Sequence, residues 1–134
     1  RLSKKAPEEK EAAAPPEPEI PPHITALAEL EALSRSGILS RREFKLWYMR
    51  LSRICRVYIG ASLDFNCVDS DACEIMAKLR SKKISERFIV RFDEILSECD
   101  LVKFAKADPD ENDARGIFEK CVETVKKSRD VNFK

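Results

Sequence analysis

Proline is confined almost entirely to the start of this chain: Pro7, Pro15, Pro16, Pro18, Pro21 and Pro22 are six of its seven prolines. A proline lacks the backbone N–H and breaks a helix or central strand from inside, so the two parts of the chain have different prospects. Residues 1–22 alternate proline with Glu and Ala and offer only Leu2 and Ile20 as large apolar residues. Such a segment buries too little surface to offset its chain entropy, which predicts a disordered, extended and semi-rigid linker. From residue 23 onward there is one proline, Pro109, and three glycines. Gly37 and Gly60 stand where helices could stop, and Gly116 falls inside a helical pattern. Long segments free of breakers predict an all-α fold, a compact bundle of about five helices. The domain is expected over residues 23–129, with residues 130–134 as a frayed C-terminal tail.

Apolar spacing places the five helices. The first follows Pro21-Pro22, with Ile24, Leu27, Leu30 and Leu33 as its stripe and Ser36-Gly37 as its end. In the second, Ser40 and Glu43 have capping-box spacing. Phe44, Trp47, Tyr48, Leu51, Ile54, Cys55 and Tyr58 follow on one face, and Gly60 is the expected stop. Residues 61–68 read as a short extended connection carrying Leu63, Phe65 and Val68. Asp69-Ser70-Asp71 then caps a third helix presenting Cys73, Ile75, Met76 and Leu79. Ser85 opens the fourth, whose stripe is Phe88, Ile89, Phe92, Ile95, Leu96 and Cys99, continued by Leu101, Val102, Phe104 and Ala105. Asp108 is the expected cap of the fifth, with Pro109 at its first position and Ile117, Phe118, Cys121, Val122 and Val125 as its face.

Enzymatic constellations are missing. His23 is the one histidine and sits beside two prolines, so the five cysteines lack the neighbouring base that nucleophilic thiol catalysis uses. No cysteines form a CxxC pair, which is the usage of a reducing compartment, with Cys serving as a small apolar residue. Cys67 and Cys73 could meet across the turn into helix three as a redox or metal pair, but zinc wants four N/S ligands in closely spaced pairs. The glycines form no phosphate loop. The chain is therefore expected to be no enzyme, with no metal site and no cofactor.

Net charge is +1, yet residues 35–58 carry seven Lys/Arg against one Glu, and residues 93–113 carry eight Asp/Glu against two Lys. Taken at 100° per residue, Arg42, Lys45, Arg53 and Arg56 fall within about 80° of one another on helix two, opposite the Phe44/Leu51/Tyr58 stripe. They are the candidate partner-binding residues. Such a face could contact phosphates, anionic lipid heads or an acidic partner; the runner-up class is nucleic-acid binding through helix two, although its aromatics lie on the core side and are not interleaved with the arginines. Trp47 and Tyr48 have the spacing of core residues. Arg1-Leu2-Ser3-Lys4-Lys5 followed by the Pro/Glu spacer has the character of a cytoplasmic flank of a membrane span.

Three stretches carry a resemblance: His23–Leu33 reading His-Ile-x-Ala-Leu-x-x-Leu-x-x-Leu, the run Trp47–Ile59, and Cys99-Asp100-Leu101-Val102-Lys103-Phe104-Ala105-Lys106. In this order they resemble the cytoplasmic C-terminal domain of bacterial BatD-like membrane proteins of aerotolerance operons, over about residues 22–128. The resemblance implies a membrane anchor preceding Arg1, residues 1–22 as a juxtamembrane linker, and a location at the cytoplasmic face of the bacterial inner membrane. It implies a non-catalytic interaction domain that docks a MoxR-type AAA+ ATPase or a von Willebrand factor A domain partner.

Overall fold

Residues 20–134 are described in the computed structural model; the linker expected over 1–22 lies outside the described residues except at its end, where Pro22 is already helical. The described residues form five helices and no strand: α1 (Pro22–Ser34), α2 (Phe44–Leu63), α3 (Ala72–Ser81), α4 (Glu86–Lys103) and α5 (Glu111–Asp130). Helices α2, α4 and α5 pack against one another in all three pairings. Helix α1 covers the α2/α5 side and α3 covers α4.

The central stripes behave as their periodicity dictates. Trp47, Tyr48, Leu51, Ile54, Cys55 and Tyr58 of α2 are buried, as are Phe88, Ile89, Phe92, Ile95, Leu96 and Cys99 of α4 and Ile117, Cys121 and Val125 of α5. The polar tips of the buried aromatics are satisfied across helices. The Trp47 indole N–H donates to the Ala114 carbonyl at 3.0 Å. The Tyr58 hydroxyl lies 3.2 Å from the Val125 carbonyl and 2.7 Å from Ser128 Oγ. No buried side-chain N or O among the described residues lacks a hydrogen-bond partner, which matters because an orphaned buried polar group costs about 1–3 kcal/mol.

Several expectations are corrected at helix ends. Ser40 caps nothing: residues 38–42 form turns, and α2 begins at Phe44 behind Glu43, which makes no side-chain cap. Gly60 does not stop α2. The helix runs through it to Leu63 and ends on Asp64 in the left-handed conformation, whose N–H returns to the Gly60 carbonyl. The glycine is needed for space, since a Cβ there would collide with the Phe65 carbonyl oxygen. The connection expected to be extended from residue 61 is therefore helical as far as residue 63. Helix α5 is capped by Asp110, not Asp108, in a reciprocal box with Asp113; Pro109 lies before the helix. Asp71 forms the equivalent box with Glu74 at α3, as the sequence signals.

Other corrections concern which side chains the core takes. Ile24 of α1 is exposed, while Ala26, Leu30 and Leu33 are buried. Cys73 faces solvent. Helix α4 ends at Lys103, so Leu101 and Phe104 stand at 48% and 62% exposure while Val102 alone turns inward. Ala105 is exposed too and takes the left-handed conformation, turning the chain away from the helix. Finally, the expected tail is anchored at one residue. The Phe133 side chain is buried against Tyr58, Phe88 and Phe92, and its carbonyl accepts the N–H of Ser85 before α4.

Candidate functional site

Helix α2 buries one face and presents the other, and the outer face holds most of the residues singled out by charge. The structure separates these four. Lys45 and Arg53 are exposed on α2. Arg42 precedes the helix, in a turn where its φ is 59° and its guanidinium lies 5.1 Å from the Phe44 ring centroid. Its place on the surface therefore comes from the turn and not from helical phase.

Arg56 departs from the expected set. Its side chain is only 11% exposed, because the connection from residue 64 to 71 folds over it. Its Nε donates to Ser52 Oγ at 3.0 Å, its Nη1 to the Ser70 carbonyl, and its Nη2 lies 3.8 Å from Asp100 Oδ1. Arg56 thus pins the loop to α2 and to the end of α4, and its fork is spent inside the molecule. A fixed bidentate-capable guanidinium suits this bridging better than a flexible ammonium would. Cys67 completes the same corner: it is buried and its thiol donates to the Arg56 carbonyl at 3.0 Å. Its suggested partner Cys73 is exposed, and neither is disulfide-bonded. Among the described residues no group of three His, Cys, Asp or Glu is placed to hold a metal.

Around the remaining cations the structure gathers apolar residues that charge alone does not signal. Met49, 44% exposed, stands amid them on α2. On one side of it a groove of about 390 Å³ runs between α1 and α2, lined by Ala32, Leu33, Leu46 and Ile54 together with Glu29 and Arg50. On the other side a cleft of about 430 Å³ lies between α2, the 68–71 turn and the end of α4, where Lys103 and Phe104 form the rim. Met49 and Arg53 line both, so the two depressions share one wall. Phase along α4 contains the signal for Phe104. Counted at 100° per residue from Phe88, the buried stripe lies within about 100° of it on either side, while Phe104 falls at about 160° and Leu101 at about 220°.

The charge pattern of this surface is set by which cations are already partnered. Arg35 pairs with Glu31 at 2.6 Å, Arg41 with Glu43 at 2.5 Å, and Arg56 with Asp100. Arg42, Lys45, Arg50 and Arg53 have no ion pair with another described residue. The nucleic-acid alternative therefore keeps three of its four cations, and its cleft also carries Asp69, Asp71 and Asp100, an unfavourable setting for phosphates.

A third depression, mostly acidic, lies between α4 and α5, where Glu94, Glu98, Asp108 and Asp113 line it with Leu101, Pro109 and Lys120, the last paired with Glu94 at 3.4 Å. The buried Tyr48 hydroxyl reaches Glu98 there at 3.4 Å. Burial, reinforced by the Glu98 and Asp113 charges, pushes its ionisation far above the ordinary phenol range.

No protein-family model matches the chain, and no curated protein and no solved structure matches it.

Proposed function

We propose that this chain is a non-catalytic docking domain of a membrane-anchored bacterial protein, carried by its Pro-rich residues 1–22 beneath the cytoplasmic face of the inner membrane. The observation that carries the reading is the outer face of α2, where Arg50 and Arg53 line the groove beside the exposed Met49, and Lys45 and, in the turn before the helix, Arg42 are exposed too; none of the four is ion-paired with another described residue. Unneutralised charge around an apolar centre is a common arrangement of a protein-binding patch, with the apolar part giving affinity and the rim giving register and rate. The BatD-like resemblance supplies the partner class, a MoxR-type AAA+ ATPase or a von Willebrand factor A domain protein. No described helix is long and apolar enough to cross a membrane, and the anchor belongs to the proposal.

The test is capture of the operon-encoded ATPase or von Willebrand A protein by the immobilised chain. Replacing Arg42, Lys45 and Arg53 together by Glu should abolish capture while far-UV circular dichroism stays unchanged, since all three side chains are exposed. Undiminished capture would remove this face from the proposal, and no capture by the unaltered chain would remove the partner class.

A further inference from the structure

Resting on the docking role proposed above, we infer that the α1–α2 groove receives an acidic amphipathic helix of the partner. The argument begins with shape. Leu33 and Ile54 are buried at the floor of the groove, Leu46 is half-buried, and Met49 rises at its α2 edge. The opposing α1 wall carries Ala32, whose short side chain leaves the trough open to solvent. A trough between two helices is filled by a rod with an apolar stripe, the i, i+3, i+4 pattern of helix-in-groove recognition. A flat bilayer surface does not fill it.

Charge then selects the sequence of that rod. At 100° per residue Leu46, Met49 and Arg53 share one line along α2, with Arg50 on one side of it and Lys45 on the other. The apolar pair Leu46 and Met49 is thus bordered by cations, and Glu29 is the sole acid among the described residues that line the groove. A bound helix with carboxylates beside its apolar stripe meets Arg50 and Arg53 at once, whereas a basic helix faces uncompensated repulsion. Met49 suits an anchor pocket because its flexible thioether adapts to different apolar side chains.

The experiment titrates the full isotopically labelled chain, followed by amide shifts, with four probes. The first is a blocked synthetic peptide with Leu at i, i+3, i+4 and i+7 and Glu beside that stripe. The others are a scramble of the same composition, its Glu→Lys counterpart, and phosphatidylglycerol vesicles. The inference expects shifts at Ala32, Leu46, Met49 and Ile54 with the first peptide alone, and affinity that falls at least about tenfold in Arg53→Glu. Met49→Glu, an independent exposed variant, should lose binding as well. It is overturned by equal binding of the scramble or the Lys peptide, by vesicle binding in place of peptide binding, by shifts confined to the Glu94/Asp113 side, by Arg53→Glu binding undiminished, or by no binding. Partner capture that persists without peptide binding overturns this occupant and leaves the docking role standing; peptide binding without partner capture does the reverse.

Discussion

Phe133, the penultimate residue of the given sequence, stacks on Tyr58 of α2 with ring centroids 5.6 Å apart. The same ring meets Phe92 at 6.0 Å and Phe88 at 6.2 Å. One C-terminal side chain therefore joins α2 to α4 at the end of the bundle where α5 finishes, and Ser85 donates its N–H to the Phe133 carbonyl at 3.2 Å to fix the approach. Both Asn132 and Phe133 have positive φ, 54° and 65°, a conformation that costs roughly 1–3 kcal/mol per residue and is held by surrounding contacts.

Phe133→Ala should therefore destabilise the domain by about 3 kcal/mol, the scale of emptying a buried aromatic site. The urea midpoint checks this: it should fall with an unchanged slope. Removal of residues 131–134 should cost at least as much. A midpoint that does not move would return these residues to the frayed tail that their position alone suggests.

The two glycines inside helices should respond to alanine with opposite signs. At Gly60 an added methyl meets the Phe65 carbonyl, a backbone atom that cannot swing aside. Gly60→Ala should destabilise by roughly 1–3 kcal/mol, as overpacking does. At Gly116 nothing lies within 4 Å of the added Cβ. Gly116→Ala should stabilise by about 0.5–1 kcal/mol through helix propensity and a less free unfolded chain. Thermal unfolding of the pair in parallel checks both.

Capping is equally discriminating. Asp110 and Asp71 each accept an N3 backbone N–H at 2.8 Å, so alanine at either should cost about 1 kcal/mol. Ser40→Ala and Asp108→Ala should stay within about 0.5 kcal/mol, the range of exposed substitutions free of special contacts. Chemical denaturation of the four single variants separates helix start from look-alike.

The contrast between these positions explains what could be read ahead of the structure. The stripes of α2, α4 and α5 repeat over several turns, and a wrong phase would put many apolar groups into water, so periodicity was sufficient for them. Caps depend on one residue each, and Asp108-Pro109-Asp110 offers two acids at neighbouring positions with only local geometry to choose between them. Leu101 and Phe104 are apolar yet lie outside the buried phase of α4, so apolar character alone does not place them. Arg56 was beyond reach from pattern alone. Its phase on α2 is that of the basic face, and only the return of residues 64–71 over it turns it inward. Phe133 is the same kind of case, a single residue whose burial depends on where the residues after α5 land.

Thiol chemistry should divide the cysteines cleanly. Cys73 is exposed, while Cys55, Cys67, Cys99 and Cys121 are buried and none is in a disulfide. A coloured disulfide reagent should label one thiol rapidly in the native protein and the other four only on unfolding. Cys73→Ser should abolish the rapid phase. A rapid phase surviving in that variant would show that a buried thiol opens to solvent on the labelling timescale.

The buried thiols should also make stability fall at alkaline pH. A hydrogen bond with Cys121 and then burial push the Cys55 thiol well up, and burial, with the neighbouring Cys121 and Glu98 contributing, pushes Cys99 up. The folded state thus holds these protons where the unfolded chain, whose thiols ionise near about 8.5, releases them. Above that value the unfolded state binds fewer protons than the folded one, so stability falls as pH rises. Their contribution is fully present below about pH 8. The urea midpoint should therefore hold steady through these thiols from neutral pH to about 8 and decline towards pH 10. Cys99→Ala should flatten that decline relative to the unaltered chain, even though it lowers the midpoint at pH 7 by opening a small cavity. An unchanged alkaline slope in Cys99→Ala would assign the decline to other groups.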